Sequence, residues 1–146
     1  ADPTPRPPRP ESHGTILVVD DDESVLRVAQ RMLERAGYET IAAASGAAAV
    51  ARVAERPDAV SVVLLDVTMP HLGGEETFDL LREQRADLPV LFFSGHSKEA
   101  GAQLAASRPL AGFVQKPFTL AELEVALEDL QAAAEKARRD PVPTRR

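Results

Sequence analysis

The sequence has 146 residues, of which 17 are Lys or Arg and 23 are Asp or Glu, so its formal net charge is −6. It contains no cysteine, which excludes disulfides, thiolate metal sites and cysteine nucleophiles, and fits a reducing compartment such as the cytoplasm. No apolar run approaches the roughly 18 residues that a membrane-spanning helix needs, so we expect no contact with a membrane.

Charge and proline divide the chain into three parts. Residues 1–14 carry five of the twelve prolines and are predicted to form an extended linker. Residues 15–135 carry a net charge of −10, which predicts one acidic domain and disfavours direct binding to nucleic acid. Residues 136–146 carry +4 and are predicted to form a basic flexible tail. The proline-rich start without an initiator Met predicts that the chain is cut from a longer protein.

The predicted domain begins with a β-branched run at 16–19, which stops at the three acids 20–22. A helical period follows and is closed by Gly37, with Asp22 as its predicted N-cap. The apolar positions of this period are Val25, Val28, Ala29, Met32, Leu33 and Ala36.

The alternation of strand and helix then repeats four times. The patterns predict strands over 38–43, 60–65, 89–93 and 112–115, and helices over 46–55, 75–85, 98–107 and 119–134. In the third helix, Phe78, Leu80 and Leu81 are predicted to face inward.

The last helix opens with a capping-box pattern from Thr119 to Glu122. Its apolar seam is predicted to pack on the sheet, with a homodimer or partner-helix face as the alternative. The seam consists of Leu120, Leu123, Leu127, Leu130 and Ala134.

Five strand–helix pairs predict an open, doubly wound α/β sandwich, in which helices cover both faces of a parallel sheet. In such sheets ligands bind at the carboxyl ends of the strands. The polar residues at those ends are therefore the candidate site: Asp20 and Asp21, Asp66, Ser94 and Lys116.

These residue types suit phosphoryl transfer to an aspartate. Crowded carboxylates repel one another, and a hard cation such as Mg²⁺ relieves that repulsion. The backbone carbonyl near Thr68 is a further candidate ligand, and the Lys116 ammonium suits a phosphoryl oxygen. A metal, an ammonium, a hydroxyl donor and one carboxylate that is free to attack phosphorus are the groups that phosphoryl transfer to an aspartate needs.

The sequence closely resembles the receiver domain of two-component response regulators over essentially all of 15–135. The matching motifs are ILVVDDD at 16–22, LLDVTMP at 64–70 with GG at 73–74, FSGH at 93–96, and KPF at 116–118. The resemblance implies a flavodoxin-like strand order of 2-1-3-4-5. It also implies Mg²⁺ or Mn²⁺ as the cofactor.

The resemblance assigns a role to each candidate residue. Asp66 becomes the phosphoacceptor and a metal ligand, Asp21 a direct metal ligand, and Asp20 a ligand through water. Thr68 supplies its backbone carbonyl to the metal. Lys116 contacts the phosphoryl group, Ser94 supplies the switch hydroxyl and Phe113 is the aromatic switch residue. The resemblance also implies that the Lys116–Pro117 peptide bond is cis.

The resemblance also implies partners. The donor is expected to be a histidine kinase or phosphotransfer protein, with a covalently linked sensor kinase upstream as the expected parent. The domain would catalyse its own phosphorylation and dephosphorylation without being an enzyme in the ordinary sense. The signal would leave through the surface of the fourth helix, fifth strand and fifth helix, while His96 is a candidate for tuning the lifetime of the phosphoryl group.

Two other functions are open at this stage. A phosphohydrolase of the haloacid-dehalogenase type also uses an Asp nucleophile, but it wants a second Asp two residues later, where this sequence has Thr68. A receiver-like module that signals by docking alone does not need the residues collected at the strand ends.

Overall fold

Five strands alternate with five helices in the residues that the structure, a computed structural model, describes, namely 14–95 and 98–139. The strands are β1 Thr15–Val19, β2 Glu39–Ala43, β3 Val62–Asp66, β4 Val90–Ser94 and β5 Ala111–Gln115. The helices are α1 Glu23–Arg35, α2 Gly46–Glu55, α3 Gly74–Gln84, α4 Lys98–Ala106 and α5 Leu120–Arg139.

The strands form one parallel sheet in the order β2-β1-β3-β4-β5. This confirms the predicted 2-1-3-4-5 order of an open α/β fold. Strands β3 and β4 are buried along their whole length, because helices cover both of their faces.

The two faces of the sheet bury two separate apolar layers. Leu17 and Val19 point toward the layer that contains α2, α3 and α4, whereas Ile16 and Val18 point toward the layer that contains α1 and α5. The structure therefore confirms the doubly wound sandwich. None of the helices in the described parts of the chain combines the length and the apolar composition of a membrane-spanning segment.

Both predicted caps are confirmed. The Asp22 side chain accepts a hydrogen bond from the Ser24 amide at 2.9 Å and so caps α1. Thr119 and Glu122 form the reciprocal capping box that opens α5: the Glu122 amide donates to the Thr119 hydroxyl at 3.1 Å, and the Thr119 amide donates to Glu122 at 2.8 Å.

The apolar period predicted for α1 and the inward-facing residues predicted for α3 both differ in part from the residues that are buried. In α1 the buried stripe is Leu26, Ala29 and Leu33, while Val28 is 56% exposed. In α3, Leu80 is likewise exposed although it was predicted to face inward. Adjacent apolar stripes one residue apart have the same helical spacing, so periodicity alone does not decide which one the sheet covers.

Helix α5 is longer than predicted and ends at Arg139 instead of Ala134. Ala, Glu, Lys and Arg are strong helix formers, and basic residues in the last turn interact favourably with the helix dipole. The first four residues of the predicted basic tail are therefore helical. The rest of that tail, the predicted linker before residue 14, and His96 lie outside the described residues.

Candidate functional site

The carboxyl ends of four strands bring the candidate side chains to one edge of the sheet. Asp20 follows β1, Asp66 and Ser94 are the last residues of β3 and β4, and Lys116 follows β5. Strand pairing continues into the loops, because the Asp20 amide donates to the Ala43 carbonyl at 3.2 Å and the Lys116 amide donates to the Ser94 carbonyl at 2.8 Å. The sheet itself therefore positions these residues.

The Lys116 ammonium faces two carboxylates at once. Its Nζ lies 3.0 Å from Asp20 Oδ2 and 3.7 Å from Asp66 Oδ1. Both carboxylates are buried, with 1% and 4% of Asp20 and Asp66 exposed. A cation between two buried anions offsets part of their repulsion.

The three aspartates at the strand ends form an acidic cluster. Asp20, Asp21 and Asp66 each offer an oxygen atom, and these three atoms lie within 4.8 Å of one another. Asp21 is exposed, whereas Asp20 is buried and accepts a hydrogen bond at Oδ1 from the Asp22 amide at 2.9 Å. Two carboxylates of the cluster are buried and the third is exposed, so a cation from solvent can reach the cluster through Asp21.

Burial, and secondly the Asp20 carboxylate, raise the pKa of Asp66 from 3.8 to about 6. The Lys116 ammonium and the Thr68 amide, which lies 3.4 Å from Asp66 Oδ1, act in the opposite direction. The raised pKa shows that Lys116 and the Thr68 amide do not fully offset the effects of burial and of the Asp20 carboxylate on the ionised form of Asp66. A bound cation would supply the missing compensation.

The remaining predicted residues lie near this cluster to different degrees. The Thr68 amide contacts Asp66 directly. Ser94 is buried at the end of the adjacent strand. Phe113 is farther away, on β5 opposite Phe92, where its ring covers Gly101 of α4. The Lys116–Pro117 bond is cis, as predicted.

Two features of the site were not predicted. The Lys116 ammonium lies over the Phe93 ring, with Nζ 4.7 Å from the ring centroid. This cation–π contact helps to hold the ammonium in place. An apolar groove of about 290 Å³ adjoins the site and is lined by Val25, Val28 and Met32 of α1 together with Lys116 and Phe118. The apolar spacing of Val25, Val28 and Met32 is the sequence signal for the groove; Val28 is exposed, whereas Val25 and Met32 are half-buried.

Comparison with known proteins agrees with this geometry. The model of the response regulator receiver domain family matches residues 16–128. The alkaline phosphatase synthesis transcriptional regulatory protein PhoP of Bacillus subtilis is 33% identical over 123 residues, which cover 84% of this chain and 50% of PhoP. Sensor kinase CckA of Brucella abortus is 32% identical over 116 residues, which cover 80% of this chain and 12% of CckA.

A solved structure shows the same fold. The chemotaxis protein CheY4 of Vibrio cholerae is 28% identical, with a TM-score of 0.72, and the match covers 80% of this chain and 98% of CheY4. The chain spans about half the length of PhoP and a smaller part of CckA. The family match, the strand order and the acidic cluster agree, and the chain belongs to the response regulator receiver domain family of two-component signalling.

Proposed function

We propose that this receiver domain accepts a phosphoryl group on Asp66 from the phospho-histidine of a histidine kinase or phosphotransfer protein. The observation that carries the proposal is the position of Lys116, whose ammonium contacts the buried carboxylates of both Asp20 and Asp66. A carboxylate nucleophile beside a fixed cation supplies the two things that phosphoryl transfer to a protein requires, namely an attacking oxygen and neutralised charge.

In the proposed reaction an ionised oxygen of Asp66 attacks phosphorus. A phosphorus–oxygen bond to Asp66 forms, the phosphorus–nitrogen bond of the donor breaks, and its electron pair leaves with the imidazole. A pKa of about 6 leaves most Asp66 side chains ionised at neutral pH. Lys116 is placed to neutralise charge on the transferred group, and the Ser94 hydroxyl at the neighbouring strand end is proposed to donate to one of its oxygens.

Receiver domains bind Mg²⁺ at a cluster of aspartates, and the three aspartates here form such a cluster. We infer Mg²⁺, or Mn²⁺ in its place, held directly by Asp21 and Asp66, by Asp20 through water, and by the backbone carbonyl of Thr68. Carboxylate and carbonyl oxygens are the ligands that these hard cations prefer. When bound, the cation neutralises charge on the transferring phosphoryl group.

Receiver domains act with histidine kinases or phosphotransfer proteins. We infer that the donor docks an apolar helix in the groove along α1, because the groove reaches Lys116 and an imidazole carried there would lie next to the acidic edge. Val28, which is 56% exposed, is the centre of this proposed contact.

The context of the domain is also a proposal. The match to a short part of a sensor kinase supports a sensor kinase upstream in the same chain. Since such kinases draw their phosphoryl group from ATP, we place the reaction in the cytoplasm.

Phosphorylation is proposed to be read out on the surface of α4, β5 and α5, where the Phe113 ring packs against Gly101 of α4. A homodimer through this surface is the alternative to a separate partner.

Labelling with a small phosphodonor tests the proposed chemistry. The domain is incubated with acetyl phosphate and Mg²⁺, and the gain of one phosphoryl group is followed by intact-protein mass spectrometry. We expect labelling of the wild type and of Asp79→Asn, an exposed carboxylate on α3, but none of Asp66→Asn or of samples with excess chelator. A folded wild type that is never labelled would refute the proposal, and steady turnover of p-nitrophenyl phosphate would favour the phosphohydrolase instead.

The docking proposal has a matched pair of variants. Val28 on α1 and Val125 on α5 are equally exposed, at 56% and 57%. We expect Val28→Glu to slow transfer from a phosphorylated phosphotransfer protein and to leave labelling by acetyl phosphate unchanged, whereas Val125→Glu slows neither. Equal transfer rates for the two variants would contradict docking along α1.

A further inference from the structure

Gly74, the first residue of α3, packs against the backbone of the phosphoacceptor strand. Its amide donates to the Val67 carbonyl at 3.0 Å. A Cβ placed on Gly74 would lie 2.6 Å from the Asp66 carbonyl oxygen and 2.7 Å from the Val67 Cα. These neighbours are backbone atoms, which cannot rotate away as the end of a long side chain can.

The reason for glycine here is space and not backbone conformation. The φ angle of Gly74 is outside the left-handed region, so an alanine would adopt the same backbone without strain. The closest contact would fall roughly 0.8 Å short of the 3.4 Å at which ordinary van der Waals contact begins. Either α3 or the turn after β3 must therefore move to admit a methyl group.

The turn after β3 is the part that carries the chemistry. The Val67 amide donates to the Phe93 carbonyl at 3.0 Å, so Val67 is fixed to β4 on one side and to Gly74 on the other. Asp66 and Thr68 flank Val67, and the Thr68 amide donates to Asp66 Oδ1. A shift at Val67 is therefore transmitted to both of its neighbours.

We propose that Gly74 is a positioning residue for phosphorylation: the absence of a side chain lets α3 hold the turn 66–68 where the Asp66 carboxylate faces Lys116 and the acidic cluster. This inference rests on the proposed function, since it concerns the alignment of the same nucleophile. Misplacement of a reacting group by about 1 Å can lower the rate by roughly 100-fold.

The chain offers two controls. Gly73 directly precedes Gly74, yet a Cβ there would meet nothing closer than Glu76 Oε1 at 3.9 Å, and its φ of −73° suits alanine. Val53 is fully buried in the last turn of α2, at the end of the sheet opposite Asp66. Val53→Ala therefore lowers stability through a cavity that leaves the site alone.

The test compares Gly74→Ala, Gly73→Ala and Val53→Ala with the wild type, in sucrose to keep all four folded. The initial rate of labelling by acetyl phosphate and the affinity for Mg²⁺, measured by calorimetry, are the readouts. We expect Gly74→Ala to label about 10- to 100-fold more slowly and to bind Mg²⁺ more weakly, while Gly73→Ala and Val53→Ala match the wild type.

Labelling and Mg²⁺ binding at wild-type levels in Gly74→Ala would overturn the inference. A Gly74→Ala chain that stays unfolded while Val53→Ala folds would also overturn it, because Gly74 would then serve the fold and not the alignment of Asp66. If the wild type itself is not labelled, the proposed function fails, and Mg²⁺ affinity alone then decides whether Gly74 positions the cluster.

Discussion

Replacing Asp66 with Asn is expected to stabilise the metal-free domain at neutral pH. Burial and the Asp20 carboxylate raise the pKa of Asp66 from 3.8 to about 6. Between these values the folded state binds more protons than the unfolded state, so the free energy of unfolding falls as pH rises through the window. At about 1.4 kcal/mol per pKa unit, the ionised carboxylate destabilises the fold by about 3 kcal/mol at pH 7 and above. Asn removes this charge, and Lys116 keeps its contact with Asp20.

Urea unfolding in chelator measures this effect. We expect the free energy of unfolding of Asp66→Asn to exceed that of the wild type by about 3 kcal/mol near pH 8. Near pH 4 the gain should be small, because the carboxyl group is protonated in the folded state and close to its titration midpoint in the unfolded state. Asp79→Asn on the exposed side of α3 should follow the wild type at both pH values. Adding Mg²⁺ should narrow the difference, because the cation stabilises the wild type by binding its folded state. A gain that is the same at both pH values would refute the electrostatic reasoning.

Three further predictions concern other parts of the domain. Lys116→Met leaves the buried carboxylates of Asp20 and Asp66 without their cation and should lower the free energy of unfolding by about 3 kcal/mol at neutral pH. A urea titration that shows no loss of stability would contradict this prediction. Ser94→Ala should still be labelled on Asp66 but lose the phosphorylation-dependent shift of the Phe113 ring signals in NMR spectra; a shift that persists would remove the switch role. Thr119→Ala breaks the capping box and should cost about 1 kcal/mol without changing the labelling rate, and unaltered stability would contradict that assignment.

The sequence was sufficient to locate the candidate site because four of the five predicted strand runs stop at a polar residue. Parallel topology then places the residues that end or follow the strands, such as Asp66 and Lys116, at one edge even though they are far apart in the chain. The contact of Lys116 with both Asp20 and Asp66 follows from that placement, but the distances depend on how the loops close. The cation–ring contact with Phe93 has no sequence signal of its own.

Other features depend on tertiary packing that periodicity does not encode. The stripe containing Leu26 and the stripe containing Val28 have the same spacing on α1, and only the position of the helix on the sheet decides which is buried. The continuation of α5 to Arg139 depends on helix propensity and on the favourable interaction of basic residues with the helix dipole, which the net charge of the tail does not reveal. The close approach of Gly74 to the Asp66 backbone likewise depends on where α3 docks.

Locating the phosphoryl group tests the central claim most directly. The domain is labelled with acetyl phosphate and Mg²⁺, and the acyl phosphate is reduced with borohydride, which converts a phosphorylated aspartate to homoserine that tandem mass spectrometry identifies by position. We predict conversion at Asp66 alone, with Asp20 and Asp21 unchanged. Conversion at either of those two residues, or a stable phosphoryl group on Ser94, would contradict the assignment of Asp66 as the phosphoacceptor.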